Sequence, residues 1–199
     1  MRHGMELVHL GDVALTLPAA AAITAALLVW RAWRMAFWWS LLFTVGIGAV
    51  AASKIIFLGW GAGLPGLCFK ALSGHAAGAT AVFPTLFYLV LHGYRPELRY
   101  AGVGAGIALG GVVTCLLIVL GHHSPAEAIA GCVIGALVSV GGIRTAGALP
   151  PVRPLPGLLS FALVFAAGAF LMQWAHLGWW MIKAARLLSG NERVFSFDL

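Results

Sequence analysis

From residue 13 to residue 177 the chain is a succession of apolar runs, each close to the roughly 20 residues that an α-helix needs to cross a ~30 Å hydrocarbon layer. This feature leaves few folds open. Backbone N–H and C=O groups surrounded by lipid have to be satisfied within their own segment, so runs of this length predict a helical bundle. Six spans are expected, at about 13–30, 35–57, 74–91, 100–120, 125–143 and 155–177. The fold class is therefore all-α, a polytopic membrane protein with a bundle of about six transmembrane helices in one domain over 1–199. No internal repeat of 20 to 50 residues divides it. A chain that is 61% hydrophobic and 9% charged is too apolar for an ordinary soluble domain.

The first run differs from a signal peptide, because its leader carries Glu6 and Asp12 and its apolar stretch is longer than a signal core. It is expected to remain as a helix. The net charge of +6 does not point to nucleic acid, since the basic residues are scattered through connections and form no aromatic-interleaved patch. They are read as topology signals and anionic-lipid contacts. The connections at 31–34, 92–99 and 144–154 together hold six arginines, which predicts that they face the cytoplasm. The connections at 59–72 and 121–124 then face outward. Beyond the last span, His176, Lys183 and Arg186 share one helical arc, with Leu177, Trp180 and Leu188 mostly elsewhere, so an interfacial tail is expected at about 178–199. Cys68, Cys115 and Cys132 have no CxxC spacing and are read as small packing residues. The glycines of GVGAGIALGG and GCVIGALVSVGG predict close helix contacts, and PPVRPLP from Pro150 a stiff connector.

Polar residues at the outward span ends are the candidates for function in so apolar a chain. Lys54 ends the second span, where snorkelling to the interface is its simplest role, and Lys70 lies in the outer connection. Ser73 is placed to cap the third span, Gly74 lets an anion approach the main chain, and His75 falls in the first turn. A helix start of this kind is a natural phosphate seat. The second cluster is GHHSPAEAIAG from Gly121. Ser124 to Glu127 form S-P-x-E, a capping box with proline at the first helical position. His123 and Glu127, four apart, share a helix face, and a carboxylate on one imidazole nitrogen leaves the other free to attack an electrophile. His122 is expected to be secondary. A metal site built from His75, His122, His123 and Glu127 is disfavoured because no metal-ligand spacing is present.

With these residues in view, the chain resembles the type-2 phosphatidic acid phosphatase superfamily, whose motifs are K-x6-R-P, P-S-G-H and S-R-x5-H-x3-D. Lys54 matches the first lysine, Ser73-Gly74-His75 the second motif, and His123 with Glu127 the end of the third, glutamate replacing aspartate. The resemblance covers about 54–142, within a phosphatase-like core at about 35–144. It implies that His123 attacks phosphorus, Glu127 orients it and His75 protonates the leaving alkoxide. Lys54, Ser73 and Gly74 would hold the phosphate, and Lys70, outside the motifs, is the nearby cation that could replace the absent arginines. No cofactor or metal is implied; the partners are a lipid phosphate and the bilayer of a bacterial inner membrane, with the site facing the periplasm. Gly61-Ala62 stand where the family has Arg-Pro, Leu116-Leu117 where it has Ser-Arg, and Leu72 replaces the proline before Ser73. The second reading is accordingly a non-catalytic protein that binds or translocates a polyprenyl-phosphate head group; vanadate-dependent peroxidase chemistry ranks third.

Overall fold

A computed structural model describes residues 2–145, 147, 149 and 154–197. Among them the chain is helical apart from its connections. A short α1 (Arg2–Val8) and a 3-10 turn (His9–Gly11) lead into α2 (Val13–Val29), then α3 (Trp33–Trp60). A second 3-10 turn (Pro65–Leu67) precedes α4 (Gly74–Val90), α5 (Pro96–Val119), α6 (Pro125–Thr145), α7 (Pro154–Met172) and α8 (Leu177–Ser189).

Among the described residues four helices, α3, α5, α6 and α7, are long and apolar enough to cross a membrane. Residues Met5–Gly11 and Val13–Val29, bent by 44°, together make a fifth if they count as one span. The third expected span is shorter: α4 has 17 residues. Its character has a physical reason. It runs up the middle of the bundle against α2, α3, α5 and α6, and small side chains such as Ala76, Ala77, Gly78 and Ala79 are buried along it. Gly131 of α6 packs on the Ser73 carbonyl and Gly135 on that of Ala77, while a Cβ at Gly106 of α5 would lie 2.5 Å from the Pro84 nitrogen. The glycine-rich runs thus bring backbones together, as small residues do between apolar helices.

Helix ends follow local chemistry. Asp12 caps α2 by accepting from the Ala14 N–H at 3.0 Å, and Ser73 caps α4 by accepting from Ala76 at 3.4 Å. The capping box at α6 closes in both directions, Ser124 Oγ accepting from the Glu127 N–H at 3.3 Å and Glu127 Oε2 from the Ser124 N–H at 3.1 Å. α3 stops at Gly61, whose φ of +65° ends the helix in the left-handed region.

Successive helices α2 to α7 alternate in direction, which separates two ends. At one end Trp30 lies beside His92 with ring centroids 6.5 Å apart and packs on Gly157; the arginines at 31, 34, 95, 99 and 144 fall on this side. At the other end lie Lys54, Lys70, His75 and the 121–124 turn. The interior between them is lined by Ile23, Leu27, Met35 and Trp39, all with 0% exposure. One expectation for the periphery needs correction. Cys68 and Cys115 are exposed and not packed inside, because Cys68 follows the 3-10 turn at φ +49° and Cys115 lies on an outer flank of α5. The proline-rich connector at 150–153 lies outside the described residues.

Candidate functional site

A cavity of about 520 Å³ opens where α3, α6 and the outer connection meet. Its wall includes Lys54, Lys70, His122, His123, Ser124 and Glu127, so residues separated by more than sixty positions in sequence share one space. Lys54 comes from the last turns of α3. Its Nζ stands 3.9 Å from where a Cβ on Gly74 would be, which places the ammonium beside the start of α4 and its free N–H groups.

Glu127 organises the opposite wall. The residue is buried, and its carboxylate has a contact on every side: Oε1 accepts from the backbone N–H of Lys70 at 2.7 Å and of Ala71 at 3.3 Å. Oε2 accepts from the Ser124 N–H and lies 3.0 Å from His123 Nδ1. A carboxylate accepts only, so the proton of this last bond sits on Nδ1 and the lone pair of Nε2 is left for another partner. The turn carrying His123 is fixed from behind as well, since the Leu117 carbonyl accepts from the N–H groups of His122 at 3.0 Å and His123 at 3.2 Å. The Ser73 N–H in turn donates to the Glu127 carbonyl at 3.2 Å, which ties the two motifs together through the main chain.

The remaining expected residues are placed less directly. Ser73 has 0% exposure; its hydroxyl is engaged as the α4 cap and is not part of the cavity wall. His75 is half-buried at the base of the site, also outside the wall, within electrostatic reach of His123, Lys54 and His122. His122 is exposed at the mouth. Lys70 lines the cavity, but its ammonium is engaged, donating to the Phe197 carbonyl at 2.6 Å. Among the described residues no group of three or more His, Cys, Asp or Glu side chains is arranged to hold a metal.

The positions where the resembling family carries arginines do not open on the cavity. Leu117 is 1% exposed in an apolar cluster with Val8, Ala76, Ala79 and Val113, and Gly61 is covered by the ring of Phe195. Two participants escaped the sequence reading. Asp12 lies within electrostatic reach of His75, and the neighbouring Gly11 is pressed on the His75 backbone, 2.5 Å separating its Cβ position from the carbonyl oxygen. Phe197 joins the cavity wall from the far end of the chain. The D-V-A-L helix start at Asp12 was the one visible signal for the first; the second had none.

Fold and site define an all-helical protein with membrane-length helices and, at one end, a cavity whose wall combines two lysines with a carboxylate-oriented histidine. A protein of Klebsiella pneumoniae, described as an uncharacterized 22.5 kDa protein in the cps region, is 39% identical over 127 residues. The alignment covers 63% of this chain and 61% of that protein. No protein-family model matches the chain, and no solved structure matches it.

Proposed function

We propose that this is a lipid phosphatase of a bacterial inner membrane, crossing it about six times with the cavity facing the periplasm, and hydrolysing a lipid phosphate or polyprenyl (pyro)phosphate. The observation that carries the proposal is the His123–Glu127 pair, 3.0 Å apart, beside Lys54 on one cavity. A binding site for an anion needs only cations and N–H groups, whereas an imidazole whose Nδ1–H is held by a buried carboxylate and whose Nε2 lone pair is left free has the arrangement of an oriented nucleophile. In the first step the lone pair of His123 Nε2 forms a bond to phosphorus and the P–O bond to the lipid breaks. His75, which lies behind the cavity wall, gives its proton to the departing alkoxide through one water. Water then attacks the phosphohistidine, His75 taking a proton from it, and phosphate leaves as the N–P bond breaks. Glu127 holds the Nδ1 proton throughout and stabilises the positive charge on the ring. Lys54 and the start of α4 balance the charge on the phosphoryl oxygens, where such reactions gain most of their acceleration.

The non-catalytic alternative, capture or translocation of a lipid-phosphate head group, is favoured by one specific observation. Leu117 and Gly61 are built into packing, so no guanidinium reaches the cavity from either position. Phosphate release from a panel of phosphatidic acid, phosphatidylglycerol phosphate and polyprenyl pyrophosphate separates the readings. Release by the parent, lost in His123→Ala and reduced at least ~100-fold in Lys54→Ala, is the expected result. Binding without release in the parent decides for the alternative.

A further inference from the structure

The described end of the chain does not leave the molecule. After α8 stops at Gly190, residues 190–197 turn back along the last turn of α3. Asn191 Nδ2 donates to the Gly59 carbonyl at 2.8 Å and the Phe195 N–H to the Leu58 carbonyl at 2.9 Å. These are two of the acceptors that a helix leaves unsatisfied at its C-terminus. The Phe195 ring covers Gly61, and the Phe197 ring lies against Phe57 with centroids 4.8 Å apart. From this position the Phe197 carbonyl takes the Lys70 ammonium.

We infer that the tail is a displaceable strap, which occupies Lys70 while the cavity is empty and is released from it when an anionic ligand enters. The inference rests on the cavity being a phosphate site. Two observations carry it. The strap's last contact is with a lysine of the cavity wall, and Phe197 is itself part of that wall, so ligand and strap compete for one group and adjoining space. The exchange also favours the ligand: the ammonium donates to an uncharged carbonyl in the strap, whereas with a phosphate oxygen both partners are ionised and the attraction of opposite charges is added. Release is within reach, because Phe195 and Phe197 remain 48% and 42% exposed and the strap is held by a few separate contacts. The strap thereby sets a threshold of ligand affinity.

The test uses the full chain in detergent with two readouts, the rate of amine acylation at Lys70 relative to Lys183, and the affinity for inorganic phosphate. The double variant Phe195→Ala/Phe197→Ala loosens the strap, and Asn191→Ala weakens it independently at Gly59. Lys70 acylation is expected to rise about fivefold in the double variant, and phosphate to bind about fivefold tighter, the effect of one solvent-exposed hydrogen bond. Asn191→Ala should change both in the same direction. Unchanged acylation in both variants overturns the strap. Faster acylation with unchanged or weaker phosphate binding overturns the competition. Phosphate binding by neither parent nor variants overturns the proposed function and the competition with it, while acylation still reports the Lys70 contact separately.

Discussion

Replacing Glu127 by glutamine tests the centre of the site with the smallest change in shape. Four donors converge on the carboxylate: the N–H groups of Lys70 and Ala71 on Oε1, and the Ser124 N–H with His123 Nδ1–H on Oε2. A glutamine presents one oxygen and one NH2. Whichever way it is turned, two donors face a donor. If the NH2 points to His123, the ring can adapt by moving its proton to Nε2, but the nucleophilic lone pair is then lost and the Ser124 N–H still has no acceptor. If it points to Lys70 and Ala71, two backbone N–H groups of the outer connection are released. An unsatisfied buried group costs about 1–3 kcal/mol, part of which cavity water restores, so Glu127→Gln should destabilise by about 2–4 kcal/mol. For a chain of this size that corresponds to a thermal shift of roughly 5–15 °C in detergent. The tautomer of His123, read from its ring nitrogens by NMR, should change or become mixed, and phosphate release should fall ~1,000-fold or more, as when an orienting carboxylate is lost elsewhere. A variant within 1 °C of the parent that keeps Nδ1–H would refute the role assigned to this carboxylate.

Gly131→Val, which drives a branched side chain into the Ser73 carbonyl, should separate α4 from α6 and cost several kcal/mol, measured as lost thermal stability with Gly48→Val as the comparison, since nothing lies near that glycine. Leu117→Arg, which introduces the arginine of the resembling superfamily, should fail to create a phosphate clamp: the guanidinium would enter the apolar cluster around Val113, and the measurable outcome is a sharp fall in folded yield. Cysteines introduced at Ala62 and at Arg95 should be labelled oppositely by a membrane-impermeant reagent in intact cells, Ala62 reacting and Arg95 protected; the reverse pattern would place the cavity in the cytoplasm.

Much of this molecule is written in local chemistry. The runs around α3, α5, α6 and α7 announce membrane-length helices because their length and polarity are properties of the segment alone. The caps at Ser73 and Ser124 are equally local, and so is the His123–Glu127 contact, made across the capping box from the turn that precedes Pro125. What stayed hidden depends on packing between distant segments. Nothing near Lys70 reveals that its ammonium will be held by a carbonyl 127 positions away, or that its main chain rests on Glu127. Ser73 looked like a phosphate ligand because a serine at a helix start has a free hydroxyl in isolation; here Gly131 brings α6 so close that the hydroxyl has only its own helix to serve. α4, at 17 residues, is shorter than the four membrane-length helices and is surrounded by other helices along most of its surface.

The contrast between α4 and α7 decides where this chain can be altered. α4 touches α2, α3, α5 and α6, whereas among the described residues α7 packs mainly on α2, with 6% of its apolar window buried. A methyl group added at Gly78 would meet the Thr16 hydroxyl at 2.7 Å; added on the outer side of α7, at positions such as Leu163, it meets only the surrounding medium. Mutational tolerance is thus divided helix by helix. The central helix admits almost no change in volume, whereas the outer face of α7, away from Gly157 and Gly168, accepts apolar exchange, which makes that face the place to attach an apolar label without disturbing the cavity.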